Sequence, residues 1–192
     1  MRPVFSLILA LVTVVSLLFS SCGRSTPPPA ASEVLTAMLE AAETTSQSIP
    51  DGIIRLTAAP SDSPSHLAET FFAALYGEAA RGMLGDGATE GPPVGPPYGP
   101  PYGPPIQDGA IYLSVSPYPW ELGVFRCADG DTAREVAALC RGRLDTLRRG
   151  FAGGEYEEAA SGGRVAVKGN WVLLALCEDP APLLEVARRL IP

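Results

Sequence analysis

The sequence predicts an α+β fold: a single domain in which an antiparallel sheet of about four strands carries helices on one face. Three observations predict it. Apolar runs after residue 109 alternate with the period of strands, and segments with helical spacing follow them. In addition, residues 127–137 resemble residues 177–187, fifty positions later, which indicates two β-β-α units. Helices nearer the N-terminus are expected to cover an edge or end of this sheet.

The first 22 residues have the layout of a secretory signal. Arg2 precedes an apolar run of about 16 residues, and small residues then lead to Cys22. The run is shorter than the roughly 20 residues that a helix needs to span a bilayer, and a membrane-spanning segment is the alternative interpretation. The string LFSSC, which ends at Cys22, resembles the lipobox of bacterial lipoproteins. Residues 1–21 are therefore predicted to be a signal peptide, with Cys22 lipidated.

A proline-rich tether is predicted between this lipid and the domain. Residues 22–31 contain three consecutive prolines, which favour an extended conformation. Residues 32–192 then form the domain. The formal net charge is −7, which argues against nucleic acid as a partner. The expected partners are the membrane, through the N-terminal lipid, and an envelope protein, so the predicted location is the extracytoplasmic face of the cell membrane.

Helical spacing predicts the first elements of the domain. Residues 32–43 place Val34 and Met38 on one apolar stripe, with Ser32 as the expected N-cap. Residues 52–57 are a short candidate strand, and residues 66–80 return to helical spacing.

A Gly/Pro-rich insert, at about residues 85–108, interrupts the domain and is predicted to be disordered. Its Gly-Pro-Pro-x unit recurs every four residues from Gly91, whereas a collagen triple helix needs glycine at every third position. Two interpretations stay open, namely a polyproline ligand for an aromatic groove and an expanded loop. The loop is favoured, and Tyr98 and Tyr102 are its exposed aromatic side chains.

Alternation predicts the strands that follow the insert. Residues 110–116 alternate apolar and polar side chains, which is typical of a strand with one buried face. Residues 120–127 are apolar on both sides, so this strand is expected near the centre of the sheet. Residues 164–168 and 171–177 form a hairpin around the two-residue turn Gly169-Asn170.

Capping residues predict the two helices that follow these strand pairs. Thr132 and Glu135 have the spacing of a capping box, which is favoured over a calcium loop because the ligand pattern of an EF-hand is missing. Asp179 and Pro180 suit the start of the last helix.

Three cysteines follow Cys22, and an odd number cannot pair completely. Cys127, Cys140 and Cys177 stand in apolar surroundings, which favours buried free thiols. The chain has no Cys-x-x-Cys pair, and its single histidine, His66, is distant in sequence. We therefore predict no metal site and no cofactor.

The residues from about Ser32 to Leu190 resemble a family of bacterial lipoproteins that carry the domain of unknown function 4358. The likeness lies in the triplet at Leu75, the Glu121–Phe125 strand, the helix with Val136 and Leu144, and the Lys168–Leu174 hairpin, listed here in chain order. The proline-rich insert has no counterpart in that family. The resemblance implies a single-domain lipoprotein on the outer face of the membrane, and it supplies no catalytic residues.

The absence of catalytic motifs points to a binding function. The sequence has no Gly-x-Ser-x-Gly elbow, no phosphate loop and no paired histidines, so we predict a non-enzymatic binding or accessory module. Exposed aromatic side chains supply contact area at low entropic cost, and the candidate partner-binding residues are Tyr98, Tyr102, Tyr118, Trp120 and Trp171. For both tryptophans, packing in the core is the competing interpretation.

Two other functions stay open. A pocket between sheet and helices could capture a small solute for a transporter. Less favoured is a hydrolase of envelope polymers that uses Glu121, Asp129 or Asp131 as acid and base, which requires two of these carboxylates to share one cleft.

Overall fold

The computed structural model describes residues 27–85 and 104–192. In chain order its elements are α1 (Ala31–Thr44), β1 (Gly52–Leu56), α2 (Glu69–Tyr76), a 3-10 turn (Glu78–Ala80), β2 (Ile106–Ser114), β3 (Glu121–Cys127), α3 (Gly130–Phe151), α4 (Glu157–Ser161), β4 (Arg164–Lys168), β5 (Trp171–Leu176) and α5 (Pro180–Leu190). The predicted signal peptide, Cys22, Tyr98 and Tyr102 lie outside the described residues.

The strands form one antiparallel sheet in the order β1-β2-β3-β5-β4. The predicted α+β class and single antiparallel sheet are confirmed, and β3 is central, as its apolar faces indicate. The sheet has five strands rather than about four. The additional strand is β1, whose five residues all pair with β2.

Helices cover both faces of the sheet, and the prediction of one covered face is wrong. Alternate residues of β3 and β5 point to opposite sides, so Leu122 and Leu173 pack under α1 and α5. Phe125 and Leu174 pack on the other side, under α2 and α3. Because β3 and β5 are apolar on both sides, each side needs a layer of helices to exclude water.

The two β-β-α units are therefore not equivalent copies. Each strand pair is followed by a helix, as the internal similarity predicts. However, α3 packs on one face of the sheet and α5 on the opposite face. The two units share the order of their elements, but their helices pack on different faces of the sheet.

The N-terminus of α1 is capped by a residue from the sheet instead of Ser32. The N-cap is Ala30, which has no side-chain acceptor. The carboxylate of Asp108 in β2 accepts a hydrogen bond from Ala31 N at 2.8 Å, and its other oxygen accepts one from Thr57 Oγ1 at 3.2 Å. Glu33 accepts from Ala30 N at 3.0 Å. This tertiary cap fastens α1 to β2.

Three further boundaries qualify the sequence predictions. Asp129, not Thr132, is the N-cap of α3, because its Oδ1 accepts from Thr132 N at 2.7 Å. Asp179 caps α5 as predicted, and Pro180 occupies its first turn. The insert ends earlier than residue 108, since β2 begins at Ile106, which is 1% exposed.

A helix that crosses a bilayer must be both long and apolar. Across residues 27–85 and 104–192, none of the helices combines the length and the apolar character that crossing a bilayer requires.

We predict that Asp108→Ala lowers the free energy of unfolding by about 1–3 kcal/mol, because Ala31 N loses its acceptor and Thr57 Oγ1 loses one of its two acceptors. Urea denaturation at pH 7 measures this difference. The matched control is Asp62→Ala, since Asp62 is exposed and forms no hydrogen bond within the described residues, and it should stay within about 0.5 kcal/mol of the natural protein. Equal losses in the two variants would contradict the assigned role of Asp108.

Candidate ligand-binding site

A cleft opens at the end of the sheet where β2 connects to β3. The connecting loop contains Pro117 and Pro119, and it is closed at its base by a hydrogen bond from Ser114 N to Trp120 O at 3.0 Å. The C-terminal part of α3 forms the opposite wall. Between them lies a cleft of about 120 Å³. The residues that line it are Leu113, Ser114, Ser116, Pro117, Tyr118, Pro119, Trp120, Glu121, Arg143, Leu147, Phe151 and Leu176.

Most of the cleft wall is apolar, and its charged groups are a single pair. Leu147 and Phe151 come from α3, and Leu176 comes from the end of β5. Among the described residues, Glu121 and Arg143 are the only charged ones that line the cleft. An apolar concavity with a few convergent polar groups is the usual form of a small-ligand site.

Glu121 is held in a buried network. As the first residue of β3 it points toward α3, on the same face as Phe125, and it is 1% exposed. Tyr76 at the end of α2 donates its hydroxyl to Glu121 Oε1 at 3.0 Å. Arg143 donates Nε to Glu121 Oε2 at 3.1 Å. Both carboxylate oxygens therefore have a partner.

The network is required once a carboxylate is placed in this strand. A buried charge without a partner costs several kcal/mol, and removal of one member of a buried pair typically costs about 3–5 kcal/mol. The Tyr76 ring also packs against Phe72 and Phe125, with centroids 4.6 and 5.9 Å away. Burial, and then the charge of Glu121, raises the pKa of Tyr76 well above its ordinary value of 10.0.

Arg143 has the most exposed side chain of the network. Its side chain is 18% exposed, compared with 1% for Glu121. Within the described residues, Nε is the one nitrogen of this guanidinium that forms a hydrogen bond. Among the described residues, the buried side-chain atoms without a hydrogen-bond partner are Arg55 Nε, Trp120 Nε1 and Arg126 Nε. The two terminal nitrogens of Arg143 have no protein partner within residues 27–85 and 104–192 and are not among these buried atoms, so they are in contact with solvent.

A second cleft of about 320 Å³ shares Tyr118 with the first. Tyr118 and Tyr156 meet edge to face with centroids 5.4 Å apart, and the Tyr118 hydroxyl lies 3.5 Å from Glu178 Oε1. Glu155 and Glu158 also line this cleft. Tyr118 thus lines both a cleft that contains the Arg143–Glu121 pair and a cleft that is bordered by three glutamates.

The predicted aromatic contact residues do not form one surface. Trp120 and Trp171 are each 1% exposed, so they belong to the core and the prediction that they contact a partner is wrong. Trp120 packs edge to face on Tyr112 at 5.2 Å, and Arg126 lies over the Trp171 ring at 6.0 Å. Trp120 contributes to the wall of the first cleft, and Tyr118, which is half-buried, is the one candidate within the described residues that lines both clefts.

The carboxylates considered for hydrolysis do not converge. Glu121 begins β3, whereas Asp129 follows its end, and the rise of a strand separates the two by roughly 20 Å or more. Asp129 is occupied as a helix cap, and Asp131 pairs with Arg134 on the surface. The arrangement of two carboxylates across a scissile bond, typically less than about 10 Å apart, is not formed by these residues.

The three cysteines of the domain are buried free thiols, as predicted. Burial, followed by a nearby aspartate, raises the pKa of Cys127 and of Cys177 to about 12. Burial also raises the pKa of Cys140. These thiols stay protonated at neutral pH, and a protonated thiol is a poor nucleophile and metal ligand. Within the described residues no group of three or more His, Cys, Asp or Glu side chains is arranged to hold a metal ion.

Comparison with protein-family models found no match to this chain, and comparisons with curated proteins and with solved structures found none either. The resemblance to the lipoprotein family with domain 4358 therefore stays a prediction from sequence.

Sequence reasoning missed Tyr76 and Arg143 as parts of one site. The available signal was Glu121 itself, because a carboxylate at the start of a strand expected in the centre of a sheet needs a buried partner. Tyr76 lies 45 residues before Glu121 and Arg143 lies 22 residues after it. No local spacing connects such positions, and only the packing of α2 and α3 on the same face of the sheet brings them together.

We predict that Tyr76→Phe lowers the free energy of unfolding by about 1–3 kcal/mol at pH 7, since a hydrogen bond to a buried carboxylate is lost while the ring packing is kept. Urea denaturation measures the loss. The control is Tyr156→Phe, whose hydroxyl forms no hydrogen bond within the described residues, and it should change stability by no more than about 0.5 kcal/mol.

The difference in the free energy of unfolding between the natural protein and Tyr76→Phe is predicted to depend on pH. Tyr76 has a raised pKa in the folded state, so above pH about 10 the unfolded chain loses this proton first and the folded state loses stability. Tyr76→Phe has no such proton. The stability difference between the two proteins should therefore shrink as pH rises above about 10, and a constant difference up to pH 11 would contradict the assignment.

Proposed function

We propose that this chain is a lipid-anchored, non-enzymatic binding module on the extracytoplasmic face of the cell envelope, and that the cleft between the β2–β3 loop and α3 is its ligand site. The single observation that carries the site proposal is the apolar cleft with the Arg143–Glu121 pair at its wall. A concave apolar surface with one convergent charged group favours recognition of a ligand.

The chemistry of the cleft favours binding over catalysis. A general base needs a free acceptor near its target, but both oxygens of Glu121 already accept hydrogen bonds. A nucleophile needs activation by a base or a lowered pKa, whereas the pKa values of the three thiols are raised. Neither the Glu121 carboxylate nor the three thiols therefore has the properties of a catalytic base or nucleophile.

The location of the cleft favours small-solute capture over contact with a flat protein surface. Of the predicted aromatic anchors in the described residues, the two tryptophans are buried. The remaining one, Tyr118, lines the concave clefts. Small-solute binding, for example as an accessory of a transporter, is therefore the form of the binding function that we favour.

The anchor part of the proposal rests on sequence. The LFSSC string supports lipidation of Cys22, and two acyl chains give stable attachment to a bilayer. Residues 27–30, which immediately precede α1, contain neither helix nor strand, as expected for the end of a proline-rich tether. A domain on this tether would stand away from the membrane surface.

We predict that expression in a bacterium with lipoprotein processing gives a mature chain that begins at a diacylated Cys22 and fractionates with membranes. Intact mass spectrometry and membrane fractionation test this. Cys22→Ala should retain residues 1–21 unlipidated, and Ser20→Ala, which keeps the cysteine, serves as the control. A natural chain that carries residues 1–21 and no lipid would contradict the anchor.

We predict that Leu147→Trp abolishes ligand binding, because the larger side chain fills a cleft of about 120 Å³. A thermal-shift screen of amino acids, short acids, sugars and small peptides identifies compounds that raise the melting temperature of the natural protein. These compounds should also stabilise Ala138→Trp, which adds the same ring at an exposed position of α3, but not Leu147→Trp. Compounds that stabilise all three proteins equally would place binding elsewhere.

A further inference from the structure

We propose that the cleft recognises a carboxylate attached to a small apolar group, and that Arg143 is the residue that binds this carboxylate. The inference rests on the proposed function, since it assigns a ligand class to the same cleft. Three features carry it: the unused donors of Arg143, the satisfied state of Glu121, and the size and lining of the cleft.

The first feature is the donor inventory of Arg143. A guanidinium has five N–H donors in a fixed fork. Only Nε donates within the described residues, to Glu121, and the four N–H groups on the terminal nitrogens have no protein acceptor there. Two parallel donors of this kind match the two oxygens of a carboxylate. The face of Arg143 that Glu121 does not use is therefore suited to a second carboxylate.

The second feature is that Glu121 positions Arg143 without competing for the ligand. In the part of the chain that the structure describes, Glu121 is the only acidic residue that lines the cleft, and each of its oxygens already accepts a hydrogen bond, from Tyr76 or Arg143. Tyr76 and Glu121 thus act as positioning residues, which fix the guanidinium before a ligand arrives. A pre-positioned donor saves ordering entropy on binding.

The third feature is the space beside Arg143. A volume of about 120 Å³ equals roughly four waters at their share of liquid volume, and a somewhat larger apolar cavity of about 150 Å³ holds benzene. Leu147, Phe151 and Leu176 give this space an apolar lining. It therefore suits a short branched or unbranched aliphatic group that carries the carboxylate, such as a small free acid or the last residue of a peptide.

The test compares isobutyrate with isobutyramide, which have the same shape and differ in charge. Binding to the full lipidated chain in nanodiscs is measured by NMR titration, with the arginine side-chain resonances as a direct probe. We expect isobutyrate to bind about ten to one hundredfold more tightly than the amide, the factor that a charge-assisted hydrogen bond supplies. The arginine resonances that respond should be those of Arg143.

The matched variants are Arg143→Lys and Arg141→Lys. Arg143→Lys keeps a cation beside Glu121 but replaces the fork with a point charge, so the preference for acid over amide should fall markedly. Arg141 is exposed, lies on the same helix and forms no hydrogen bond within the described residues, so Arg141→Lys should retain the full preference. If Arg143→Lys does not fold, the Arg143 resonances of the natural protein and loss of isobutyrate binding in Leu147→Trp decide the question.

Several outcomes would overturn the inference. These are equal binding of acid and amide, a preference that survives in Arg143→Lys, or binding of inorganic phosphate while isobutyrate does not bind. If acid and amide bind equally and Leu147→Trp abolishes both, the carboxylate assignment fails and the cleft remains the ligand site. If Leu147→Trp leaves binding of both compounds unchanged, the proposed site fails as well.

Discussion

The burial of β3 and β5 on both faces is the constraint on which the rest of this structure depends. These neighbouring strands contribute ten residues with little or no exposure to the two cores, namely Leu122, Val124, Phe125, Cys127, Trp171, Val172, Leu173, Leu174, Ala175 and Leu176. A sheet covered by helices on one side only would leave one of these faces in water. Helices must therefore arrive on both sides, and the connections of the chain decide which helix goes where.

This constraint explains how a charged pair came to lie at the end of the sheet. Because β3 is covered on both sides, its first residue, Glu121, has no solvated face to point toward. Two helices supply what water would have given, Tyr76 from α2 and Arg143 from α3. The position on the strand matters, since Arg143 sits near the end of the covered region and remains in contact with solvent through the cleft.

Sequence patterns predicted the elements well because those patterns are local. The Gly169-Asn170 turn and the Asp179 cap each involve neighbouring residues, and each was confirmed. The single buried face predicted for residues 110–116 was wrong, because Ala110 and Ile111 are both fully buried, on opposite faces of the sheet. Patterns did not predict the second helical layer, although the two apolar faces of residues 120–127 contained that information. The Asp108 cap could not be predicted, because it joins residues 77 positions apart. The candidate site was not predicted for the same reason, since its residues are distant in sequence. The aromatic pattern alone could not distinguish the half-buried Tyr118 from the buried tryptophans.

The two clefts that share Tyr118 differ in the charged residues that line them. Its ring lines a cleft that contains Arg143 and a second cleft bordered by Glu155, Glu158 and Glu178. The ring also packs edge to face on Tyr156 at 5.4 Å, a contact that stabilises its position. Arg143 pairs with Glu121 through Nε alone, and its terminal nitrogens form no hydrogen bond within the described residues. Those terminal donors are therefore available, which is the condition on which the proposed carboxylate recognition depends.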